Sequence, residues 1–294
     1  MAAYQQISID PALCNGDGLC VAVCPSAVFR QSDAGETPSV ARPSACIACG
    51  HCVAVCPTDA VRHGQIDLAA SPLVGSQPAV TAEQALHFMR RRRSERHFKD
   101  NEVTRDLLEK LVEAGRFAPS ASNAQVYQFI VVQDRARIRR LARLSLGPFR
   151  LALRLIENPM ARGLARPFAG KALMDEAESA LEDLRAMVNG PSRGQDLVLF
   201  DAPALILIHA PKGASFGETD CANAQHQMAL MAEALGLGTT TIGFFIIAFR
   251  FSRALRRELR LPKGHRLYGT LIVGWPRYRW RRVPDRRPAR VRWE

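Results

Sequence analysis

The spacing of seven cysteines between residues 14 and 56 is the sequence feature that most restricts how this chain can fold. The second of two cysteine motifs, residues 46–57, has the complete pattern C-x2-C-x2-C-x3-C-P. A loop with this spacing wraps three thiolates around one face of an iron–sulfur cubane, and its fourth cysteine reaches a neighbouring cluster. We therefore expect the first part of the chain to be built around iron–sulfur clusters.

The first motif, residues 14–25, repeats the same spacing with Asp17 in the position of the second cysteine. Together the two motifs resemble the two-cluster bacterial ferredoxins over residues 4–68. The resemblance implies that one cluster is bound by Cys24, Cys46, Cys49 and Cys52. It implies that the other cluster is bound by Cys14, Cys20 and Cys56, with Asp17 facing its fourth iron.

Asp17 leaves the composition of this other cluster open. A carboxylate is a harder and weaker ligand for cluster iron than a thiolate. Ferredoxins with this departure hold either a [4Fe–4S] cluster with an oxygen ligand or a [3Fe–4S] cluster. Since Asp is also common in surface loops, an alternative is that Asp17 never faces the iron.

Zinc is the competing interpretation of the cysteines. Paired CxxC motifs bind zinc, but the third cysteine and the proline after each fourth cysteine are not zinc-ribbon features. Reduced cysteines favour the cytosol, and we expect a cytoplasmic protein, because the sequence shows no secretion signal and no apolar run of membrane-spanning length. Cys221, far from the motifs, is expected to be a small buried apolar side chain.

The formal net charge of +12 is unevenly distributed. Residues 1–75 contain three arginines and six acidic residues, a net charge of −3, so the remainder carries +15. No zinc-finger, RNP or helix-turn-helix pattern accompanies this basic charge, and we expect neither a nucleic-acid nor a membrane partner. The arginines are expected on solvated helix faces or around a phosphate-bearing cofactor.

The composition divides the chain into two domains. Residues 69–80 are small, contain Pro, Gly and Ser, and lack periodicity, which is typical of a linker. We therefore predict an iron–sulfur domain at residues 1–68, a linker at 69–80 and a larger domain at 81–294.

Apolar periodicity predicts the elements of the larger domain. A capping box of Thr81 and Gln84 begins a helix that runs to about Arg92, and another helix follows Thr104. Residues 135–190 are expected to be mostly helical, and Asp220 is expected to cap a long helix that ends at Gly236. Buried strands are predicted at residues 129–133, 204–209 and 267–273. This alternation predicts an α+β fold, with helices around a mixed or antiparallel sheet.

Three polar segments of the larger domain could meet the demands of FMN, whose phosphate needs guanidinium donors and whose ring needs donors where charge accumulates on reduction. They are residues 91–98 (RRRSERHF), 118–125 (APSASNAQ) and 274–284 (GWPRYRWRRVP). Taken singly each signal is weak, because an arginine run is usually a solvated face. No GxGxxG unit between a strand and a helix is present, so the glycines near 236–243 do not predict a dinucleotide fold.

The order and separation of these segments resemble the nitroreductase family over residues 83–294. The matching motifs are R-R-S-x-R, A-P-S-x-x-N-x-Q, the Ile242–Gly243 pair after a long helix, and G-W-P before a basic tail. The resemblance implies a nitroreductase-like FMN domain and a homodimer whose active site lies at the subunit interface. Residues 135–200 match nothing in the family pattern, so the shape of the substrate site stays open.

The resemblance also implies roles for individual residues. The FMN phosphate and ribityl chain would be bound by Arg92, Arg93 and Ser94, with Arg281 and Arg282 completing the clamp. Arg96 would lie toward the pyrimidine edge of the flavin, and Ile242 and Gly243 would approach its N5 through their backbone. Four residues would reach the flavin of the other subunit: Ser120, Ser122, Asn123 and Gln125.

These features together predict an oxidoreductase. We expect an external low-potential donor to pass electrons through two iron–sulfur clusters to FMN. The donor is a ferredoxin or NAD(P)H, and the resemblance implies that a nicotinamide docks directly against the flavin. A small organic acceptor of nitro, quinone or enone type would then be reduced. No Ser/His/Asp or paired-carboxylate site has convincing spacing, so no catalytic side chain is nominated. The alternative is an electron-transfer or redox-sensing protein without a small-molecule substrate of its own.

Overall fold

The structure is a computed structural model that describes residues 6–75, 80–158, 160 and 181–294. Residues 76–79 of the predicted linker, and residues 159 and 161–180 of the segment expected to be helical, lie outside the described residues. The chain forms two compact units. Unit 1 contains Met1–Thr81 and Ala121–Ala124, and unit 2 contains Ala82–Ser120 and Gln125–Glu294.

Unit 1 is built from short elements around the cysteines. Two antiparallel ribbons pair β1 (Ile7–Ile9) with β4 (Val61–His63), and β2 (Phe29–Arg30) with β3 (Ser39–Val40). Two short helices, α1 (Leu19–Ala22) and α2 (His51–Val55), each carry one cysteine into a small apolar core. The core is small, in keeping with the prediction that this part of the chain is built around clusters.

The two halves of unit 1 are an internal repeat, as the sequence predicted. Positions of the first half recur 32 residues later, so that Cys20 corresponds to Cys52 and Gly18 to Gly50. Gly18 (φ 70°) and Gly50 (φ 78°) both lie directly before a helix in the left-handed region, where a side chain is disfavoured. The same backbone turn therefore presents both cysteine motifs.

Unit 2 contains a four-stranded antiparallel sheet. Its strands are β5 (Gln128–Val132), β6 (Ala204–Pro211), β7 (Gly238–Thr241) and β8 (His265–Gly274), in the order β5-β6-β8-β7. The three strands predicted from the sequence are confirmed. Gly236 (φ 73°) ends the preceding helix, as predicted, whereas Gly238 begins β7, a strand that the sequence did not predict.

The helices of unit 2 confirm the α+β prediction. They are α3 (Ala82–Arg91), α4 (Arg105–Arg116), α5 (Arg135–Glu157), α6 (Leu181–Asn189), α7 (Gly217–Ala234), α8 (Gly243–Phe251) and α9 (Arg253–Leu259). None of the helices described is long and apolar enough to cross a membrane. The prediction that Asp220 caps α7 is wrong, because the helix already begins at Gly217 and Phe216 O accepts from Asp220 N. Asp220 lies buried in the first turn, where a carboxylate is favoured by the helix dipole.

The sheet is covered by helices on both faces because β6 is apolar on both sides. Every residue from Ala204 to Ala210 is buried. Leu205 and Leu207 pack on one face with residues of α5 and α8, whereas Ile206 and Ile208 pack on the other with α4 and α7. Cys221, at the start of α7, is fully buried in the second of these layers, as the sequence predicted, and burial raises the pKa of its thiol to about 12.

A pair of histidines lies at the end of β6. Nδ1 of buried His209 is 2.9 Å from Nδ1 of His265 on β8, so one ring must donate and the other accept. Burial, and next the charge of His265, lower the pKa of His209 to about 4. The ring of His209 is therefore neutral in the folded protein at neutral pH.

This pair makes folding sensitive to acid. In the unfolded chain His209 binds a proton near pH 6.5, but in the folded chain it does so only near pH 4, so its contribution to stability is complete above pH 6.5 and is lost as the pH falls toward 4. We expect the loss to reach about 3 kcal/mol. Urea denaturation at several pH values checks this. The control is His209→Asn, which binds no proton in this range; equal pH dependence of the two proteins would contradict the prediction.

Candidate functional site

The cysteine thiols of unit 1 fall into two groups that cross between the repeats. Burial raises the pKa of Cys20, and the neighbouring charges of Cys14 and Cys56 raise it further. Burial likewise raises the pKa of Cys52 to about 11, with further contributions from Cys46, Cys24 and Cys49. The charges that act on each buried thiol therefore come from the other cysteines of the same implied ligand set.

Backbone N–H groups are directed at three of the sulfurs. Val28 N donates to Cys24 Sγ, Ala48 N to Cys46 Sγ and Ala60 N to Cys56 Sγ, each at 3.3 Å. Burial alone would raise the pKa of Cys56, but hydrogen bonds from Thr58, Ala60 and Val61 lower it overall. These donors stabilise negative charge on sulfur, which is the form that binds iron.

A cavity in unit 1 is lined by the sulfur-bearing residues of the second group. Its walls include Cys24, Cys46, Cys49, Cys52 and His63. In the described part of the chain, no three His, Cys, Asp or Glu side chains are arranged to hold a single metal ion. The thiolates of a cubane each bind a different iron, so these cysteines need not converge on one point.

Asp17 occupies the position that corresponds to Cys49 in the second repeat. Its side chain is exposed, and Oδ1 accepts a hydrogen bond from Leu19 N at 3.0 Å. This is the local turn that a short acidic side chain commonly forms before a helix. One carboxylate oxygen of Asp17 therefore supports the start of α1.

In unit 2, residues 91–98, which we call the arginine segment, are held against strand β7. Ser94 forms a parallel bridge with Thr239, and Glu95 N donates to Thr239 O at 3.0 Å. Thr240 Oγ1 donates to Glu95 O. A Cβ at Gly238 would lie 2.7 Å from Glu95 Cβ and Cγ, so glycine is required for this close approach. The structure thus brings the first predicted flavin segment against the strand that leads to Ile242 and Gly243.

Strand β7 leads directly to Ile242 and Gly243. Ile242 is buried and its backbone N donates to Thr270 O at 3.0 Å, which fixes the end of the strand. Gly243 is exposed, and no atom lies within 4 Å of the position its Cβ would occupy. The backbone at Gly243 is therefore open to a ligand.

The buried side chain of Glu95 fixes the backbone turn of the arginine segment. Glu95 is 2% exposed, and Oε1 accepts from Arg96 N at 3.0 Å and from His97 N at 2.9 Å. Oε2 has no hydrogen-bond partner within the described structure. The neighbouring Ser94 and Arg96 are exposed, and Arg96 Cζ lies 5.8 Å from the ring centre of Phe200.

The third predicted flavin segment, residues 274–284, contacts the arginine segment through its first residues. Lys99 N donates to Trp275 O at 2.9 Å, and Arg277 N donates to His97 O at 2.8 Å. The chain therefore enters its basic tail beside the arginine segment. Among the residues predicted to bind the phosphate, Arg92 and Arg93 are half-buried, whereas Arg281 and Arg282 are exposed.

The loop at residues 118–125 is divided between the two units. Ser120 Oγ accepts from Gln125 N at 3.0 Å, which closes the base of the loop. Asn123 belongs to unit 1, where its Nδ2 donates to Ala48 O at 2.8 Å, within the second cysteine motif. Ser122, Asn123 and Gln125 all have positive φ, a conformation that costs energy in residues other than glycine.

Sequence reasoning missed three contributors to these sites. The link from Asn123 to the cysteine motif had no signal in the sequence. The roles of Thr239 and Thr240 were hidden because strand β7, three threonines after a glycine, has no apolar pattern. Glu95 had one available signal, since it is a single acidic residue inside a run of arginines.

Comparison with known proteins agrees with both units. The profile described as Nitroreductase family matches residues 89–275, and that of a 4Fe-4S dicluster domain matches residues 6–57. An FMN reductase (NAD(P)H) of Bacillus subtilis is 29% identical over 65% of this chain and 66% of that protein. A nitrobenzene nitroreductase of Ectopseudomonas oleovorans is 25% identical over 64% of this chain and 84% of that protein.

One solved structure shows the same fold. A nitroreductase with bound FMN from Bacteroides fragilis superposes with a TM-score of 0.53 and 21% identity, over 72% of this chain and 99% of that chain.

Replacement of Glu95 tests the support of the arginine segment. In Glu95→Ala the N–H groups of Arg96 and His97 lose their acceptor, so the free energy of unfolding should fall by about 1–3 kcal/mol. Glu95→Gln keeps an acceptor oxygen and should lose less. The measurement is urea denaturation, with Glu83→Ala, an exposed carboxylate of α3, as the control. A Glu95→Ala protein as stable as the control would contradict this role.

Proposed function

Because the chain belongs to the nitroreductase family and is an FMN-dependent oxidoreductase with a 4Fe–4S dicluster domain, we propose that it reduces an organic acceptor with electrons received through unit 1. The acceptor class is nitro, quinone or enone. A low-potential ferredoxin would supply single electrons to unit 1, whereas NAD(P)H, which gives up two electrons as a hydride, would reduce FMN directly. When bound, FMN supplies the step between these partners, since it accepts electrons singly and releases two as a hydride.

One observation carries this proposal: unit 2 joins the arginine segment to strand β7. The bridge between Ser94 and Thr239 joins the segment with exposed Ser94 and Arg96 to the strand that leads to the open backbone of Gly243. Guanidinium and hydroxyl donors suit a phosphate and a sugar-like chain. A bare glycine backbone suits the close approach of a planar ring. The donor set therefore fits FMN.

We assign the residues of the flavin site as follows. Arg92, Arg93 and Ser94 bind the phosphate and ribityl chain, together with Arg281 and Arg282. Arg96 neutralises negative charge at the pyrimidine edge of the reduced ring. The backbone of Ile242 and Gly243 contacts the ring near N5. In the proposed homodimer, the residues that complete the site from the second subunit are Ser120, Ser122, Asn123 and Gln125.

We assign two iron–sulfur clusters to unit 1. The second is a [4Fe–4S] cluster bound by Cys24, Cys46, Cys49 and Cys52. The first is a [4Fe–4S] or [3Fe–4S] cluster bound by Cys14, Cys20 and Cys56, with Asp17 at the remaining corner. The crossed grouping of the thiol charges supports these ligand sets. Oxygen-sensitive thiolate ligation favours a cytoplasmic location, which is part of the proposal.

Turnover of a nitroarene tests the function. The anaerobically purified protein, reduced with dithionite, should reoxidise when nitrobenzene is added. In Arg92→Leu, loss of a charge-assisted contact should weaken FMN binding about tenfold or more. Arg90→Leu, an exposed arginine of α3, is the matched control and should retain FMN.

Two results would count against this proposal. If Arg92→Leu and Arg90→Leu retain FMN equally, the assigned phosphate clamp is wrong. If reduced flavin is never reoxidised by nitro, quinone or enone compounds, the protein is an electron-transfer or redox-sensing protein instead.

Asp17→Cys tests the composition of the first cluster. A cysteine at this position completes the first motif, so a [3Fe–4S] cluster should convert to a cubane. The expected result is loss of the EPR signal of the oxidised [3Fe–4S] cluster and a rise in iron content by one per chain. A wild-type protein with full cubane content, and a spectrum that the substitution leaves unchanged, would show that Asp17 never faces the iron.

A further inference from the structure

We propose that His63 sets the reduction potential of the second cluster through a hydrogen bond to the sulfur of Cys46. The inference rests on the proposed ligation of that cluster by Cys24, Cys46, Cys49 and Cys52. It concerns a residue outside both cysteine motifs. His63 touches a ligand rather than the iron, so it acts as a positioning residue.

The backbone holds His63 firmly beside the cluster cavity. His63 is the last residue of β4, where it pairs with Ile7 of β1. Its side chain is 7% exposed and lines the cavity formed by the second group of cysteines. Nε2 lies 3.5 Å from Cys46 Sγ, within hydrogen-bond distance for a sulfur acceptor.

The geometry also decides which ring nitrogen carries the proton. Nδ1 of His63 accepts a hydrogen bond from Gln65 N at 3.1 Å, so this nitrogen has no hydrogen of its own in the neutral ring. The hydrogen of the neutral imidazole must then be on Nε2. Nε2–H therefore donates to the sulfur of Cys46, which also accepts from Ala48 N.

The internal repeat shows that this contact is particular to the second half. The residue 32 positions before His63 is Gln31. Its Nε2 donates to the carbonyl oxygens of Gly16 and Glu36, both at 2.8 Å. The equivalent side chain of the first repeat thus supports the backbone of its cysteine loop, whereas His63 donates to a sulfur.

A hydrogen-bond donor directed at a ligand sulfur stabilises the oxidised and the reduced cluster to different extents. Reduction adds an electron whose charge is spread over the cluster and its sulfurs, so the hydrogen bond is stronger in the reduced state. A buried donor has little competition from water. The contact should therefore raise the potential of the second cluster relative to the same cluster without it, and leave the first cluster unaffected.

Potentiometric titration of the holoprotein, followed by EPR, tests the inference. In His63→Leu the second cluster should be about tenfold harder to reduce at a fixed ambient potential, which is about 59 mV for one electron. His63→Gln keeps an N–H donor and should recover most of the shift. The first cluster, measured in the same samples, is the internal control and should not move.

The outcomes separate this inference from the function on which it rests. Wild-type protein that binds no iron and sulfide after anaerobic reconstitution would overturn both. If the clusters are present and His63→Leu leaves the second potential unchanged, the inference alone is overturned. Should His63→Leu fail to hold its second cluster, ¹⁵N-histidine labelling of the wild type decides: a nitrogen hyperfine coupling to that cluster, lost in His63→Gln, supports the contact, and no coupling overturns it.

Discussion

The burial of closely spaced thiols is the physical constraint on which unit 1 depends. Burial, and next the charges of the neighbouring cysteines, raise the pKa values of Cys20 and Cys52, so these thiols resist losing their protons. The fold favours the thiolate form, which is the form that binds iron, through N–H groups directed at three of the sulfurs. The donors Val28, Ala48 and Ala60 lie in the loops between the short elements of this unit.

Unit 2 differs from unit 1 in that it brings positively charged guanidinium groups together. Within the arginine segment, the buried side chain of Glu95 accepts hydrogen bonds from the backbone of the next two residues, while Arg96 extends toward solvent. The conformation of this basic segment therefore depends on an acidic residue within it. Because the backbone of Arg96 is already fixed, less ordering entropy is lost when its guanidinium contacts a ligand.

Much of the fold and of the candidate site could be predicted from the sequence, and there are physical reasons why the rest could not. Cysteine spacing is set by cluster geometry, and the apolar runs of β5, β6 and β8 are set by burial. Both patterns are local, so they can be recognised in the sequence. Strand β7 contains three threonines after a glycine and gives no such pattern. The contacts of Asn123 and His63 join residues that are distant in sequence or specific to one half of a repeat, and no periodicity encodes them.

The position of β7 at one side of the sheet gives the arginine segment a second consequence. In the order β5-β6-β8-β7, this strand is an edge, whose outer N–H and C=O groups would otherwise be free to pair with another chain. The bridge between Ser94 and Thr239 caps that edge with the same residues that are assigned to the cofactor. Detachment of the segment would therefore both displace the residues assigned to the cofactor and expose a template for strand addition, so weaker cofactor binding and self-association would share one structural cause.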